Sequence, residues 1–208
     1  MRADTVGVIL AGGQARRMGG GDKALIKLGG DTLLARAIAR AKPQVQDLIL
    51  NANGDPARFA AYGLPVIADR VQGFLGPLAG ILAGFEWMRA NRPGARWLAS
   101  FACDTPFFPT DLVSRLVKLA DDTASWVAVA ETAGQEHYIF AVWSAKIAET
   151  SESVLVKGGH RKMENWIATF PHRSLSFPVE TVDPFMNVNT PDELAFAEDL
   201  IAQQGLIG

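Results

Sequence analysis

Apolar and polar positions along this chain alternate between short continuous apolar runs and stretches with helical spacing. Val6 to Leu10 is a run of the kind that forms a buried strand, and it breaks at Gly12 and Gly13. Leu33, Leu34, Ala37, Ile38 and Ala41 fall on one helical face, with Asp31 or Thr32 as its cap. Leu48 to Leu50 predicts a second strand, running into Asn51-Ala52-Asn53-Gly54. Asp55-Pro56 then offers a cap and a first-turn proline for a short helix. Val66 and Ile67 predict a third strand that ends at Asp69. Leu78, Ile81, Leu82, Phe85 and Met88 recur at steps of three and four, which predicts a helix from Pro77 to Asn91. A fourth strand, Trp97 to Ala102, stops at Cys103-Asp104-Thr105-Pro106. Leu112, Val113, Leu116, Val117 and Ala120 mark the next helix.

Strands alternating with helices imply a mostly parallel sheet covered on both faces. The expected fold class is therefore α/β: a single-domain, Rossmann-like three-layer α/β/α sandwich. From Trp126 the rhythm loosens. Trp126 to Ala130 and Ile139 to Trp143 read as strands joined by a polar turn, so an antiparallel excursion is expected in the C-terminal third. Met163, Trp166, Ile167 and Phe170 suit a helix. Thr190-Pro191-Asp192-Glu193 is a capping box that opens a final helix, with Leu194, Ala197 and Ile201 inward.

At 208 residues the chain suits one domain; a chain of this size buries roughly 70% of its unfolded surface and needs no covalent staples. A formal charge of −2 gives no general basic field of the sort that binds nucleic acid. The single cysteine, Cys103, rules out an internal disulfide and fits a reducing compartment. The apolar run before the first glycines, about six residues, is too short for a signal or membrane segment. The expectation is a cytoplasmic protein without nucleic-acid or membrane partners.

The chemistry concentrates between Leu10 and Lys23, LAGGQARRMGGGDK. Gly12, Gly13, Gly19, Gly20 and Gly21 each raise the cost of ordering by roughly 0.5–1 kcal/mol relative to alanine. In return they let backbone N–H groups approach something bulky and negative, while Arg16, Arg17 and Lys23 supply the opposite charge. A strand, a glycine-rich basic loop and a helix read as a phosphate cradle. No Gly-Lys-Ser/Thr triplet occurs, so this is no P-loop. Gly19 to Ala24 matches G-x-G-x-x-A, but it begins too far beyond the strand for a dinucleotide fingerprint. In an open parallel sheet ligands sit beyond the carboxyl ends of the strands. Those ends carry Leu10-Ala11-Gly12-Gly13, Asn51-Ala52-Asn53, Asp69 and Cys103-Asp104, which places one crevice among them.

LAGG-x-x-x-R-M-G-G-x-DK, followed by L-x-x-L-x-G, resembles the signature of the molybdenum cofactor guanylyltransferases. These are the MobA type of the nucleoside-triphosphate-dependent nucleotidyltransferases. Gly76-Pro77-Leu78-Ala79-Gly80 is similar to that family's GPLAG element, Cys103-Asp104-Thr105-Pro106 to its CDTP element and Asn187-Val188-Asn189-Thr190-Pro191 to its NVNTP element. The resemblance implies GTP and molybdenum-bound molybdopterin as substrates and Mg²⁺ as cofactor. It also implies other cofactor-biosynthesis proteins and apo-molybdoenzymes as partners of a monomer. Residues about 1–120 would form the nucleotide half and about 121–208 the acceptor half.

Carried over residue by residue, Lys23 and Arg17 would neutralise the triphosphate and Asp104 would hold the metal. Lys23 and Asp104 are expected to grip opposite ends of that triphosphate. Leu10, Ala11, Gly12, Gly13, Asn51, Asp69, Gly76 and Leu78 would complete the nucleotide site, with Asp69 accepting from guanine N1–H and the 2-amino group. Arg161, Lys162, Asn187 and Asn189 would meet the acceptor. Several of these positions also have a plainer reading. Lys23 suits a solvated charge, Asn51 and Asp104 suit turns or caps, and the asparagines of NVNTP suit a turn before a helix. His160 stands where the family usually has glutamate, and His137 precedes Tyr138 where the family usually has proline. His137 is a candidate general base. The other readings are a transferase using CTP or another phosphorylated acceptor, and a non-catalytic cofactor carrier.

Overall fold

The computed structural model describes residues 4–12, 21–69, 76–149 and 162–204. Arg16, Arg17, Gly13, His160 and Arg161 lie outside the described residues. Seven strands form one sheet, in the order β5 (Val66–Ile67), β4 (Asp47–Asn51), β1 (Thr5–Leu10), β6 (Trp97–Ala102), β8 (Gln135–Ser144), β7 (Val127–Thr132) and β9 (His172–Ser176). Among these strands only β8 runs against the rest, pairing antiparallel with both β6 and β7, and β9 rejoins in parallel. The antiparallel excursion is therefore one strand deep.

Side chains alternate between two cores, as the period-two geometry of strands requires. Ile9, Leu48, Leu50, Ala99, Phe101, Ala128 and Val142 face α1 (Leu33–Ala41) and α3 (Leu112–Thr123). Val6, Val8, Ile49, Leu98, Val129 and Trp143 face α2 (Pro77–Asn91) and the short helix Met163–Ile167. These are the three layers expected. A third cluster joins a small hairpin, β2 (Lys27–Leu28) and β3 (Asp31–Thr32), to the final helix Pro191–Gln204 through Leu28, Leu33, Val188, Ala197 and Ile201. Its turn needs positive φ at both Gly29 (56°) and Gly30 (91°), the signature of a type I′ hairpin.

Two of the predicted elements have other bounds than the sequence reading gives them. The helix predicted through Phe170 stops at Ile167, and Phe170 instead packs edge-on against Trp166, with ring centroids 5.4 Å apart. β8 begins before Ile139 and carries a bulge: Val129 pairs with Ala141, but Ala130 pairs with His137. Tyr138, Ile139 and Phe140 are thus extra residues on one side of the ladder. Such bulges bend a strand and re-aim its side chains.

Registers level the strand ends. Leu10 pairs with Asn51 on one side and with Ala102 on the other, and Asn51 pairs with Ile67. The chain runs outward from β1 to β4 and β5, then crosses back to β6 on the other flank of β1. This reversal between β1 and β6 is the topological switch point, where crevices form.

Candidate active site

A cavity of about 350 Å³ opens at that switch point, lined by Leu10, Gly12, Lys23, Asn51, Asn53, Asp69, Gly76, Pro77, Ala102, Cys103, Asp104 and Ile139. The loops after four strands meet there, as the sequence reading expects.

Lys23 reaches the cavity because Asp22 caps the single turn Lys23–Leu25, its carboxylate accepting from the Ala24 N–H. Asp22 is itself tied 3.2 Å from Arg58, which also donates to the Asn53 carbonyl. The Lys23 ammonium, in a residue only 7% exposed, ion-pairs with Asp104 Oδ2 and donates to Asn189 Oδ1. Lys23 is thus no solvated surface charge. Nor do Lys23 and Asp104 stand at opposite ends of a ligand site: they touch. A buried ammonium has to be paired, and the carboxylate and the amide do this.

Asp104 remains 22% exposed at its side chain, and its backbone carbonyl accepts from the Val188 N–H at 2.8 Å. Thr105 Oγ1 donates to Asn187 Oδ1 at 2.6 Å. The segments CDTP and NVN are therefore stitched side by side. The capping box holds the second of them. Glu193 Oε2 accepts from the N–H groups of Asn189 (2.7 Å) and Thr190 (2.9 Å), and Thr190 Oγ1 accepts from the Glu193 N–H at 3.3 Å. The Asn189 N–H, first, holds the Glu193 carboxyl below its usual range. Replacing Glu193 by alanine is expected to cost about 1 kcal/mol in urea unfolding at neutral pH. A lowered carboxyl pKa contributes stability above the unfolded value and loses it as pH falls through the folded value. The deficit of the variant should accordingly shrink in acid.

On the other wall, Asp69 is held by two amides. Asn51 Nδ2 donates to its Oδ1 at 2.9 Å, Asn53 Nδ2 to its Oδ2 at 2.7 Å, and the Asp69 N–H returns to Asn53 Oδ1 at 2.9 Å. Each carboxylate oxygen keeps a further lone pair for a ligand N–H. Asn51 is 6% exposed, a buried positioning amide and not a turn residue. The second glycine of GPLAG makes room for it: a Cβ at Gly80 would lie 2.3 Å from Asn51 Oδ1 and 2.6 Å from Leu10 Cδ2. Gly76, at φ 126°, needs glycine for its backbone. Gly80→Ala should displace Asn51 and release Asp69, raising KM for the nucleotide about tenfold with little change in kcat. Steady-state kinetics check this.

Not every sequence candidate lines the cavity. Leu78 and Ala11 are buried in the two cores and are not among its lining residues. Lys162 is exposed at the start of the helix Met163–Ile167. Asn187 lines a second cavity, described below. Arg17, Gly13 and Arg161 fall outside the described residues. Cys103 lines the wall, but burial, foremost, pushes its thiol well up, which removes it as a nucleophile. Asn53, Thr105 and Arg58 are the residues that sequence reasoning missed. Asn53 was visible as a polar residue at a strand end; for Arg58 there was no signal.

The cavity does not stop at Ile139. Adjoining it through Pro77, Ala102 and Ile139 is a space of about 250 Å³, also lined by His137, Tyr138, Phe140, Met163, Phe185 and Asn187. Here His137 stacks on Phe185 with centroids 4.6 Å apart, and its Nε2 lies 2.6 Å from Thr132 Oγ1. Burial lowers its pKa, with Asp183 opposing part of the shift.

Residues 7–172 match the family model described as the MobA-like NTP transferase domain. A molybdenum cofactor guanylyltransferase of Nitrobacter hamburgensis is 49% identical over 201 residues, spanning 97% of this chain and 96% of that protein. One of Rhodopseudomonas palustris strain BisB5 is 50% identical over 194 residues, spanning 93% and 92%. The chain belongs to the molybdenum cofactor guanylyltransferase family. Solved structures agree on the fold. Molybdopterin-guanine dinucleotide biosynthesis protein A of Archaeoglobus fulgidus superposes with a TM-score of 0.74 at 20% identity, covering 95% of this chain and 99% of that one. A CMP:2-keto-3-deoxy-manno-octonic acid synthetase complexed with CTP reaches 0.75 at 16% identity, covering 97% and 99%. The chain is thus a nucleotidyltransferase on the Rossmann-like scaffold of this family.

Proposed function

We propose that the chain transfers GMP from GTP to the terminal phosphate of molybdenum-bound molybdopterin, forming molybdopterin guanine dinucleotide and releasing pyrophosphate. The observation that carries this is the contact of Lys23, Asp104 and Asn189 at the mouth of the switch-point crevice. It joins the glycine loop, the CDTP turn and the NVNTP turn at one point.

An oxygen of the acceptor phosphate attacks the α-phosphorus, and the bond to the β-phosphate breaks with its electron pair leaving on pyrophosphate. The acceptor supplies the nucleophile, so no protein nucleophile is required, in keeping with the raised Cys103 thiol. Lys23 meets the charge that builds on the phosphate oxygens. Because it touches Asp104, the two act on neighbouring oxygens. Asn189 keeps the ammonium aimed, and Thr105 with Asn187 fixes the turn behind Asp104. Asp69, braced by Asn51 and Asn53, is placed to accept from the guanine edge.

Among the described residues no group of three or more His, Cys, Asp or Glu side chains gathers into a metal cage. The donor set is one partly exposed carboxylate, which suits a magnesium ion arriving on the triphosphate. Asp104 would hold it, and there it would offset phosphate charge. The same reading makes the chain a cytoplasmic monomer that meets other cofactor-biosynthesis proteins and apo-molybdoenzymes. Among the described residues no helix is long and apolar enough to cross a membrane.

Nucleotide choice tests this reading. GTP with magnesium at 100 times its Kd should add about 2.7 kcal/mol to stability, a rise of roughly 5–10 °C in Tm for a domain of this size. CTP and UTP should add little. Selective protection by CTP would place the chain in the cytidylyl branch.

A further inference from the structure

Resting on that reading, we infer that the cavity behind the β8 bulge seats the planar ring system of the acceptor, and that His137 Nδ1 is a fixed hydrogen-bond acceptor for a ring N–H. His137 would then be a specificity residue, and Thr132 and Asp183 the residues that position it.

The bulge builds the cavity. Pairing of β8 with β6 ends at Ser100 and Ala141, so beyond that point the two strands part, and Tyr138 to Phe140 bow away from the β7 ladder. The bow is pinned, since Ser100 Oγ donates to the Ile139 carbonyl and accepts from Trp143 Nε1–H at 2.9 Å. The resulting space, about 250 Å³, falls below the roughly 300–1,000 Å³ of whole drug-sized ligands and suits a ring fragment. Phe140 and Phe185 give it aromatic walls, and Asn187 at its rim leads back toward Thr105 and Asp104. A ring seated there would point its phosphate-bearing arm at the reacting centre.

The hydrogen bonds of His137 fix its tautomer. Thr132 has one hydroxyl hydrogen and donates it to Asp183 Oδ2 at 3.1 Å, since a carboxylate only accepts. The 2.6 Å contact between Thr132 Oγ1 and His137 Nε2 must then be donated by Nε2–H. Burial favours the neutral imidazole, which leaves a lone pair on Nδ1. Among the described residues Nδ1 has no hydrogen-bond partner. Asp183 Oδ1 also accepts from the Phe185 N–H at 2.8 Å, so one carboxylate orders both the hydroxyl and the aromatic ring that stacks on the imidazole. A lone acceptor beside an aromatic wall matches a flat heterocycle with N–H donors, such as a pterin. Guanine has such donors too, but Asp69, Asn51 and Asn53 stand on the opposite, β4–β5 side of the crevice.

Two measurements test the inference. In steady-state guanylyl transfer, His137→Phe keeps the stacking area and should raise KM for the molybdenum-loaded pterin acceptor about tenfold while KM for GTP stays put. His137→Asn, which leaves an amide oxygen near the Nδ1 position, should restore most of the loss. An unchanged acceptor KM, or a rise in GTP KM instead, would overturn it. In ¹⁵N-histidine NMR of the wild-type protein, His137 should show a bare Nδ1 and a protonated Nε2. 6-Hydroxymethylpterin should shift Nδ1, whereas inorganic phosphate should not, and Thr132→Val should mix the tautomers. A protonated Nδ1, or no response to the pterin, would overturn it without reference to turnover. Absence of guanylyl transfer by the wild type would instead strike the reading beneath, and the NMR arm would still decide the seat.

Discussion

Lys23→Ala is expected to lower kcat by about 10²–10³, the loss seen when one preorganised charge-stabilising donor is removed. The argument rests on where the ammonium sits. Lys23 is nearly buried, held by Asp104 on one side and Asn189 on the other, and therefore requires little reorganisation when charge builds on the phosphate oxygens. Its alanine variant loses that charge and also leaves Asp104 without its partner. Binding of GTP should weaken as well, so the loss in kcat/KM should exceed that in kcat. Single-turnover transfer under saturating GTP is the measurement. Near-normal turnover would remove Lys23 from the chemistry.

Asp104→Asn should cost a similar factor, about 10²–10³, by a different route. Asparagine keeps the shape, and the backbone bond from the Val188 N–H to the Asp104 carbonyl remains. What disappears is the negative charge that would hold the magnesium ion and that pairs the Lys23 ammonium. The variant should lose some stability, because the buried Lys23 ammonium keeps only amide oxygens, yet it should bind GTP and need a much higher magnesium concentration for whatever rate survives. A magnesium titration at fixed GTP separates this from a folding defect. Should the variant keep both the wild-type rate and the wild-type magnesium midpoint, Asp104 would have no metal role. The two variants differ in a useful way: loss of Lys23 removes the cation that competes for Asp104, so it should lower the magnesium midpoint where Asp104→Asn raises it.

The first four strands of the sheet were legible because buried parallel strands read as continuous apolar runs, and each ended in a glycine or polar residue. α2 was legible to its ends for a similar reason, with Pro77 opening it and Leu78, Ile81, Phe85 and Met88 filling one core. β9 was not. His172-Arg173-Ser174-Leu175-Ser176 has a single apolar residue, and it is a strand because it pairs with β7 at the sheet edge. The β2–β3 hairpin escaped notice because Lys27-Leu28 and Asp31-Thr32 hold one apolar residue between them and make no apolar run, unlike Val66-Ile67 of β5. The motif does not tell its residues apart: Gly76 and Pro77 line the cavity, Gly80 leaves room for Asn51, and the Leu78 side chain packs in the core.

By itself the sequence determined the class of fold, the end of the sheet at which the crevice opens and most of the polar groups gathered there. These follow from local patterning, which every residue expresses through its neighbours in the chain. Only tertiary structure decided that Lys23 bridges Asp104 and Asn189, that Asn51 and Asn53 brace Asp69, and that β8 bows to open a second cavity. Those partners lie 81, 166, 18 and 16 residues apart. Their meeting depends on strand order and register, and neither is written in the spacing of any one segment.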